Sequence, residues 1–408
     1  KVPFRVLRTA PVLFSKADPK TLFFAGNLLF KTRDGGQTWE TISPDLSRET
    51  YEIPVCVGKY STPDMKTMPR RGVIYTVAPS PRDVNVIWCG TDDGLMWATF
   101  DGGAHWENVT RGVIDSWSKV SMMDASAFDT ATVYAAVNRI RCDDQRPHIF
   151  RTHDGGKSWQ EIVTGLPNGP VNVVRADPMR QGLLYCGTET AVYFSLDDGD
   201  HWQPLRRNMP ATSIRDLVVH ENDLAVATHG RSFWILDNVS RLRQLPMAQG
   251  LFKPALAYQL ERNTNSDTPL PPEEPAGKNP PDGAMIEYVL ASDAKRVTIE
   301  IVDGAGKVVR TFASDDKVTP VDPKSLTVME GWVRPERIPG AKRGGHRFVW
   351  DLRQKGGSAR FGLPISAIWG DTPISSGPWI PVGDYTVRLT VDGKAYEEPL
   401  QVRPDPRR

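Results

Sequence analysis

The sequence predicts an all-β chain: a run of four-stranded antiparallel sheets, followed by a second, sandwich-like β domain. Three observations carry this reading. A motif Ser/Thr-x-Asp-x-Gly-x-x-Trp recurs four times. Gly and Pro number 34 each in 408 residues, so backbone breaks come too often for long helices and suit short strands and turns. Trp, at 12, outnumbers Tyr, at 10, which suggests a repeated structural use of the indole. The length suits two or three domains with ample buried core. Lys and Arg number 50 against 49 Asp and Glu, a formal net charge of +1. That balance excludes a general electrostatic grip on nucleic acid or an anionic membrane. No apolar run approaches the roughly 20 residues of a membrane span.

The repeats are, in order, Thr32-Arg33-Asp34-Gly35-Gly36-Gln37-Thr38-Trp39, Thr99-Phe100-Asp101-Gly102-Gly103-Ala104-His105-Trp106, Thr152-His153-Asp154-Gly155-Gly156-Lys157-Ser158-Trp159 and Ser195-Leu196-Asp197-Asp198-Gly199-Asp200-His201-Trp202. Their aspartates are 67, 53 and 43 residues apart, so the shortest interval approximates the unit and the others carry inserted loops. An Asp in a tight turn accepts bonds from the N–H groups that follow it, and Gly supplies the positive φ the turn needs. The Trp then opens the next strand, burying its ring while its N–H finds a carbonyl. Asp34, Asp101, Asp154 and Asp197 therefore read as hairpin locks, and Trp39, Trp106, Trp159 and Trp202 as structural, each expected to be largely buried between neighbouring units.

The text around each lock is regular. Strands are expected at 171–178, 182–188, 191–195 and 202–205, and the same parts run through 72–81, 86–91, 95–100 and 106–109. They recur at 119–128, 132–138, 148–152 and 159–163, and from 11–19 through Ile42. A fifth copy at 213–220, 223–228 and 232–236 has lost its lock. Four strands every 40 or so residues are the sequence form of a propeller blade.

With these motifs the chain resembles the BNR/Asp-box β-propeller superfamily, which includes sialidases, xyloglucanases and sortilin. Gly90-Thr91-Asp92-Asp93-Gly94 and the string from Ala227-Thr228-His229-Gly230-Arg231 to Asp237 look like secreted bacterial sortilin-like repeat proteins, often labelled glycosyl hydrolases. The resemblance covers about residues 11–260 and implies a bacterial cell-envelope protein, secreted or periplasmic. Relatives in this group usually have more blades. The expectation is therefore an incomplete ring, completed by a protein partner or by a missing upstream segment, since Lys1 is not a start methionine.

Residues 1–260 are accordingly assigned to blades and 261–283, rich in Pro, Asn and Glu, to a linker. Residues 284–408 carry alternating strands at 285–290, 297–302, 308–312, 347–352, 385–391 and 395–402, with hairpin turns at Asp303-Gly304 and Asp392-Gly393. Pro381-Val382-Gly383-Asp384-Tyr385 resembles the closing strand of bacterial Ig-like modules, which implies an Ig-like sandwich there. The stretch 358–377 reads as a long loop.

Cys89 and Cys186 stand in matching Cys-Gly-Thr strings and read as buried core residues. Cys56 and Cys142 lie in loop-like text and can pair only in an oxidising compartment; nothing in the sequence fixes their separation. No zinc spacing, Gly-x-Ser-x-Gly, phosphate loop, dinucleotide fingerprint or His-Glu-x-x-His occurs, so no metal or cofactor is expected.

The locks should all lie on one rim and the turns between second and third strands on the other. The second rim carries the candidate residues. Asn138 to Pro147 is enlarged and charged, with Arg139, Arg141, Asp143, Asp144 and Arg146. The connection at 43–71 is long and holds Tyr51, Lys59, Tyr60 and Lys66. Two functions compete. One is a non-catalytic scaffold that binds protein or glycan through this rim, with Arg139, Arg141, Arg146, His229 and Arg231 as ligand contacts. The other is a glycoside hydrolase using two carboxylates among Asp92, Asp93, Asp143, Asp144 and Glu189. Hydrolysis needs a facing pair about 5–5.5 Å apart for retention or about 6.5–9.5 Å for inversion. The scaffold reading expects those carboxylates to be paired with arginine. A sialidase arginine triad with a Tyr–Glu pair is not assignable, which counts against sialidase activity.

Overall fold

The computed structural model describes residues 3–50, 53–54, 62–67, 69–260, 280–318, 324, 333–334, 337–355, 372–373 and 377–407. Tyr51, Cys56, Lys59, Tyr60, most of the 261–283 linker and most of the 358–377 stretch lie outside them. Among the described residues there is no α-helix, only strands, turns and short 3₁₀ segments. The chain forms two compact units, Lys1–Leu236 and Asp237–Arg408.

The first unit holds five blade-like sheets. Four are four-stranded and antiparallel in sequence order. Blade one is Val12–Phe14, Leu22–Ala25, Leu29–Thr32 and Glu40–Thr41; blade two is Ile74–Pro79, Ile87–Thr91, Met96–Thr99 and Glu107–Asn108. Blade three is Lys119–Ala125, Val133–Asn138, Ile149–Thr152 and Gln160–Glu161; blade four is Val171–Ala176, Leu184–Thr188, Val192–Ser195 and Gln203–Pro204. Blade five keeps three strands, Ile214–His220, Asp223–Thr228 and Phe233–Leu236, in line with its missing lock.

Burial along the second strands follows position in the series. In blades two, three and four every residue of that strand is buried, because both faces meet a neighbouring sheet. In blades one and five the burial alternates, as in a sheet covered on one side. Each blade packs on the next through one repeated fit. A residue at or within two places of the end of each second strand is small: Ala25, Gly90, Ala136, Gly187 and Ala227. Into that gap comes a buried β-branched residue from the first strand of the following blade. Ile74 meets Ala25 and Val171 meets Ala136 within shared apolar clusters. A Cβ built on Gly90 would lie 2.3 Å from Val120 Cγ1, and one on Gly187 would lie 2.5 Å from Ile214 Cγ2. These contacts require the absence of a side chain.

The locks form as their composition dictates. Asp154 is typical: its carboxylate accepts from Ser158 N at 3.0 Å, Ser158 Oγ at 2.6 Å and Thr152 Oγ1 at 2.8 Å. The tryptophans then reach backwards along the series. The indole N–H of Trp106 donates to Ile42 O at 2.8 Å, that of Trp159 to Val109 O at 2.7 Å and that of Trp202 to Ile162 O at 2.8 Å. Trp202 is buried, and Trp106 and Trp159 are half-buried against the preceding blade. Trp39 departs from the expectation. It is 42% exposed, and its N–H turns to Gly36 O of its own loop at 3.1 Å, because the first sheet has no described predecessor to supply a carbonyl.

The second unit is a sandwich around one core. Gly250–Leu251, Ala284–Leu290 and Gly344–Trp350 form one sheet; Ala257–Gln259, Lys394–Pro404, Gly383–Val391, Val297–Val302 and Val308–Ala313, in that spatial order, form the other. Ile286, Tyr288, Phe348 and Trp350 of one meet Ile299, Ile301, Val387 and Leu389 of the other. The expected strands are all present. The boundary differs from the sequence assignment at residue 260, because residues 237–260 belong to this second unit. Gly250–Leu251 pairs with Ala284–Leu290, and Ala257–Gln259 adds in parallel to Lys394–Pro404. Arg347 donates to the carbonyl of Asp237 at 2.9 Å and to Glu287 at 3.1 Å, which ties the start of the segment to a buried carboxylate. Strands of two and three residues carry no readable periodicity, so the sequence did not reveal them.

Cys89 and Cys186 are buried and free, and burial pushes both thiols up. Cys142 is also buried.

Candidate functional site

The turns between second and third strands gather the nominated residues, and Asp92, Asp93, Arg139, Arg141 and Glu189 are tied to a neighbouring loop. Asp92 accepts from Val73 N at 2.9 Å and lies 3.6 Å from Arg141, whose guanidinium also donates to the Asp92 carbonyl at 3.0 Å. Asp93 is buried. Thr91 Oγ1 donates to it at 2.6 Å and Arg48 N at 2.9 Å, while burial pushes its carboxyl above the usual range. Arg48 also donates to the carbonyls of Asp93 at 2.8 Å and Gly94 at 3.0 Å.

The enlarged loop of blade three is held in the same way. Arg146 forks onto Asp144 at 3.0 and 2.8 Å, and Arg139 and His148 approach at 3.4 and 3.2 Å. The Arg146 hydrogen bonds hold the Asp144 carboxyl well below the ordinary carboxylate range. Arg139 also donates to Asp115, in the connection from blade two, at 2.8 Å. Asp143 is exposed and caps the short 3₁₀ turn Ile140–Cys142 in the left-handed region, with φ 55°. Glu189 accepts from Asn172 at 2.9 Å and lies 3.5 Å from Arg215 of blade five. Burial alone would raise its carboxyl, but the Asn172 bond and the charges of Arg215 and Lys119 leave it below its usual value.

A belt of polar contacts results, linking blade to blade. Arg5 reaches Asp45 at 2.7 Å, and Asn27 donates to the same carboxylate at 2.9 Å. Asn138 donates to Asn172 at 2.9 Å, and Asn172 donates both to Glu189 and, at 3.1 Å, to the Ile214 carbonyl. Sequence reasoning missed Arg5, Asp45, Arg48, Asp115, Asn138, Asn172 and Arg215. Each is a single polar residue at a strand end or in a connection, with no local pattern. The signal that did exist was an Asn closing or opening an otherwise apolar strand, as at Asn138 and Asn172.

His229 and Arg231 are different. Their backbone closes the turn, with His229 N on Ser213 O at 2.8 Å and Arg231 N on Thr228 Oγ1 at 3.1 Å. Their side chains are exposed and take no partner among the described residues. Among those residues, too, no group of three or more His, Cys, Asp or Glu is placed to hold a metal ion, and no helix is long and apolar enough to cross a membrane.

No family model matches the chain. A 63-residue stretch is 40% identical to glutamine–tRNA ligase of Pseudoalteromonas atlantica, covering 14% of this chain and 11% of that protein. Among solved structures the chain is similar to the GH74 enzyme of Niastella koreensis, with 14% identity, TM-score 0.39, and coverage of 58% of this chain and 31% of that one. It is likewise similar to the GH74 xyloglucanase of Xanthomonas campestris, with 14% identity, TM-score 0.37, and coverage of 69% and 42%. The chain thus spans less than half the length of either enzyme. Likeness of this degree carries nothing about chemistry. The protein is a β-propeller-type blade array with an appended β-sandwich, on the strength of its own sheets.

Proposed function

We propose that this chain is a non-catalytic scaffold that binds a protein or glycan partner through the rim of turns between second and third strands. One observation carries the reading: of the five nominated carboxylates, Asp92, Asp93 and Glu189 are held by groups from another loop, and Asp144 by the arginines of its own loop. A general acid must keep a proton to give, and a nucleophile must be free to approach the anomeric carbon. Asp92, Asp144 and Glu189 are instead paired with Arg141, Arg146 and Arg215, and Asp93 is closed off by Thr91 and Arg48. Such a rim is rigid and presents surface. His229 and Arg231 stand free on it as contact residues for carboxylate or hydroxyl groups. The repeat's likeness to Asp-box, sortilin-like proteins supports a secreted or periplasmic site of action, with the Ig-like sandwich as a spacer or docking module.

The test has two arms. Reducing-sugar release is measured on plant and bacterial polysaccharides, with Asp92→Asn and Glu189→Gln variants in parallel, and no turnover is expected. Calorimetric titration of the same glycans and of envelope extracts should give binding that Arg231→Ala weakens about tenfold, as loss of one charge-assisted hydrogen bond does. Turnover abolished by either carboxylate variant would replace this reading with hydrolysis.

A further inference from the structure

The four blade-to-blade contacts inside this chain define a leading face and a trailing face, and each face is left over once. On the leading face, the residue of the first strand that faces the preceding blade is Val77, Met123, Val174 and Leu217 in blades two to five, and all four are buried. The same register position in blade one is Val12, which is 61% exposed, with Phe14 exposed beside it. On the trailing face, the third-strand residue opposite the small second-strand position is Leu29, Met96, Ile149 and Val192 in blades one to four, again buried. In blade five it is Phe233, opposite Ala227 and 79% exposed, next to exposed Ile235 and Val218.

These are the two halves of one contact, separated to opposite ends of the series. Isolated apolar side chains on a surface need no explanation, but Val12 and Phe233 stand at positions buried in every other blade, and each has exposed apolar neighbours beside it. Two further features agree that no described sheet stands against blade one on that side. In later blades the second lock glycine lies hard against the preceding sheet: a Cβ on Gly103 would meet the Ile42 carbonyl at 2.3 Å, and one on Gly199 would meet Ile162 Cδ1 at 2.4 Å. At Gly36 the nearest atom is its own Trp39, 3.7 Å away, and that indole is the one left half in solvent.

We infer that blade five of one chain docks against blade one of a second copy, head to tail, so that Phe233, Ile235 and Val218 of one meet Val12 and Phe14 of the other. The occupant is a second copy because this chain itself carries the complementary face, uncovered and in the same register language as its four internal contacts. A formal charge of +1 sets up no like-charge repulsion against self-association. A heterologous contact of this kind satisfies both ends only if it closes, so a closed pair is the expected assembly. The inference is independent of what the rim binds.

Light scattering and sedimentation over a micromolar concentration series test it, on the full chain and on Val12→Asp and Phe233→Asp variants. Both positions are exposed in the single chain, so each variant should stay folded and melt like the wild type at dilutions where the wild type is itself a single chain. The wild type should reach twice the chain mass and each variant should remain at the single-chain mass. An equimolar mixture of the two variants should recover the doubled mass, because one native contact survives between them. A mixture that stays monomeric means the contact is not head to tail and overturns the inference. So does a wild type that stays monomeric. Hydrogen exchange at 233–236 then says whether the face is bare or is covered by another part of the same chain.

Discussion

Truncating two tryptophans of the same motif separates burial from sequence. Trp202 and Trp39 occupy equivalent places, yet Trp202 is 4% exposed and Trp39 is 42% exposed. Trp202 packs among Ile162, Val174, Leu184 and Cys186 and donates to the Ile162 carbonyl at 2.8 Å. Trp202→Ala should cost about 3–5 kcal/mol, as for other buried Trp truncations. The upper half of that range is expected, since an orphaned buried acceptor adds about 1–3 kcal/mol. Trp39 keeps an edge contact with Phe24, with ring centroids 6.1 Å apart, and a bond to a carbonyl of its own loop. An aromatic pair of that kind is worth about 0.5–1.5 kcal/mol beyond the area it covers, so Trp39→Ala should cost clearly less than Trp202→Ala. Both substitutions belong in the Phe233→Asp background, where the proposed self-association is removed. Urea denaturation followed by fluorescence, compared at constant m-value, reads the difference as a midpoint shift. Trp202→Phe, which keeps most of the ring, should fall between. Equal losses for Trp39→Ala and Trp202→Ala would refute the argument that the preceding blade, and not the motif, supplies the stability.

Two other outcomes follow from the geometry. Gly187→Ala should destabilise the first unit by about 1–3 kcal/mol through overpacking against Ile214, and Ile214→Ala should recover part of that loss when the two are combined, measured by the same denaturation. The lock aspartates should give an acid-side stability loss. Hydrogen bonds from the Thr38 hydroxyl and amide hold Asp34 below its ordinary value, and Ser158 does the same for Asp154. The folded state therefore binds fewer protons than the unfolded one, so the stabilisation is present above about pH 4 and is lost as pH falls below it. A denaturation midpoint that declines through that window, and declines less in Asp34→Asn and Asp154→Asn, is the expected result.

The five blades were legible in the sequence because their signals are local. Asp154 to Trp159 encodes a turn whose donors and acceptors lie within seven residues, and strands such as 184–188 read as apolar runs. The sandwich strands were equally plain, since alternation over six or more residues survives any context. Residues 250–251 and 257–259 were not legible, because so short a strand is defined by the partner it pairs with.

The candidate rim shows the same division. Its membership was visible, since loop position follows from strand order, and Asp92, Asp93, Asp144 and Glu189 were nominated on that ground. Pairing with arginine was expected and Arg141 and Arg146 were among the nominated residues, but the part played by Arg48 and Arg215 was not visible. Three of those four partners come from a different blade or an inter-blade connection, and only packing brings them near.

The chain by itself thus determined the repeat, the locks and the side of each sheet that would be apolar, all consequences of backbone geometry within a few residues. Only the tertiary structure decided which copies of a position are covered. Val12 and Leu217, or Phe233 and Met96, are similar residues in equivalent places; burial depends on whether another sheet stands alongside, a property no single repeat contains.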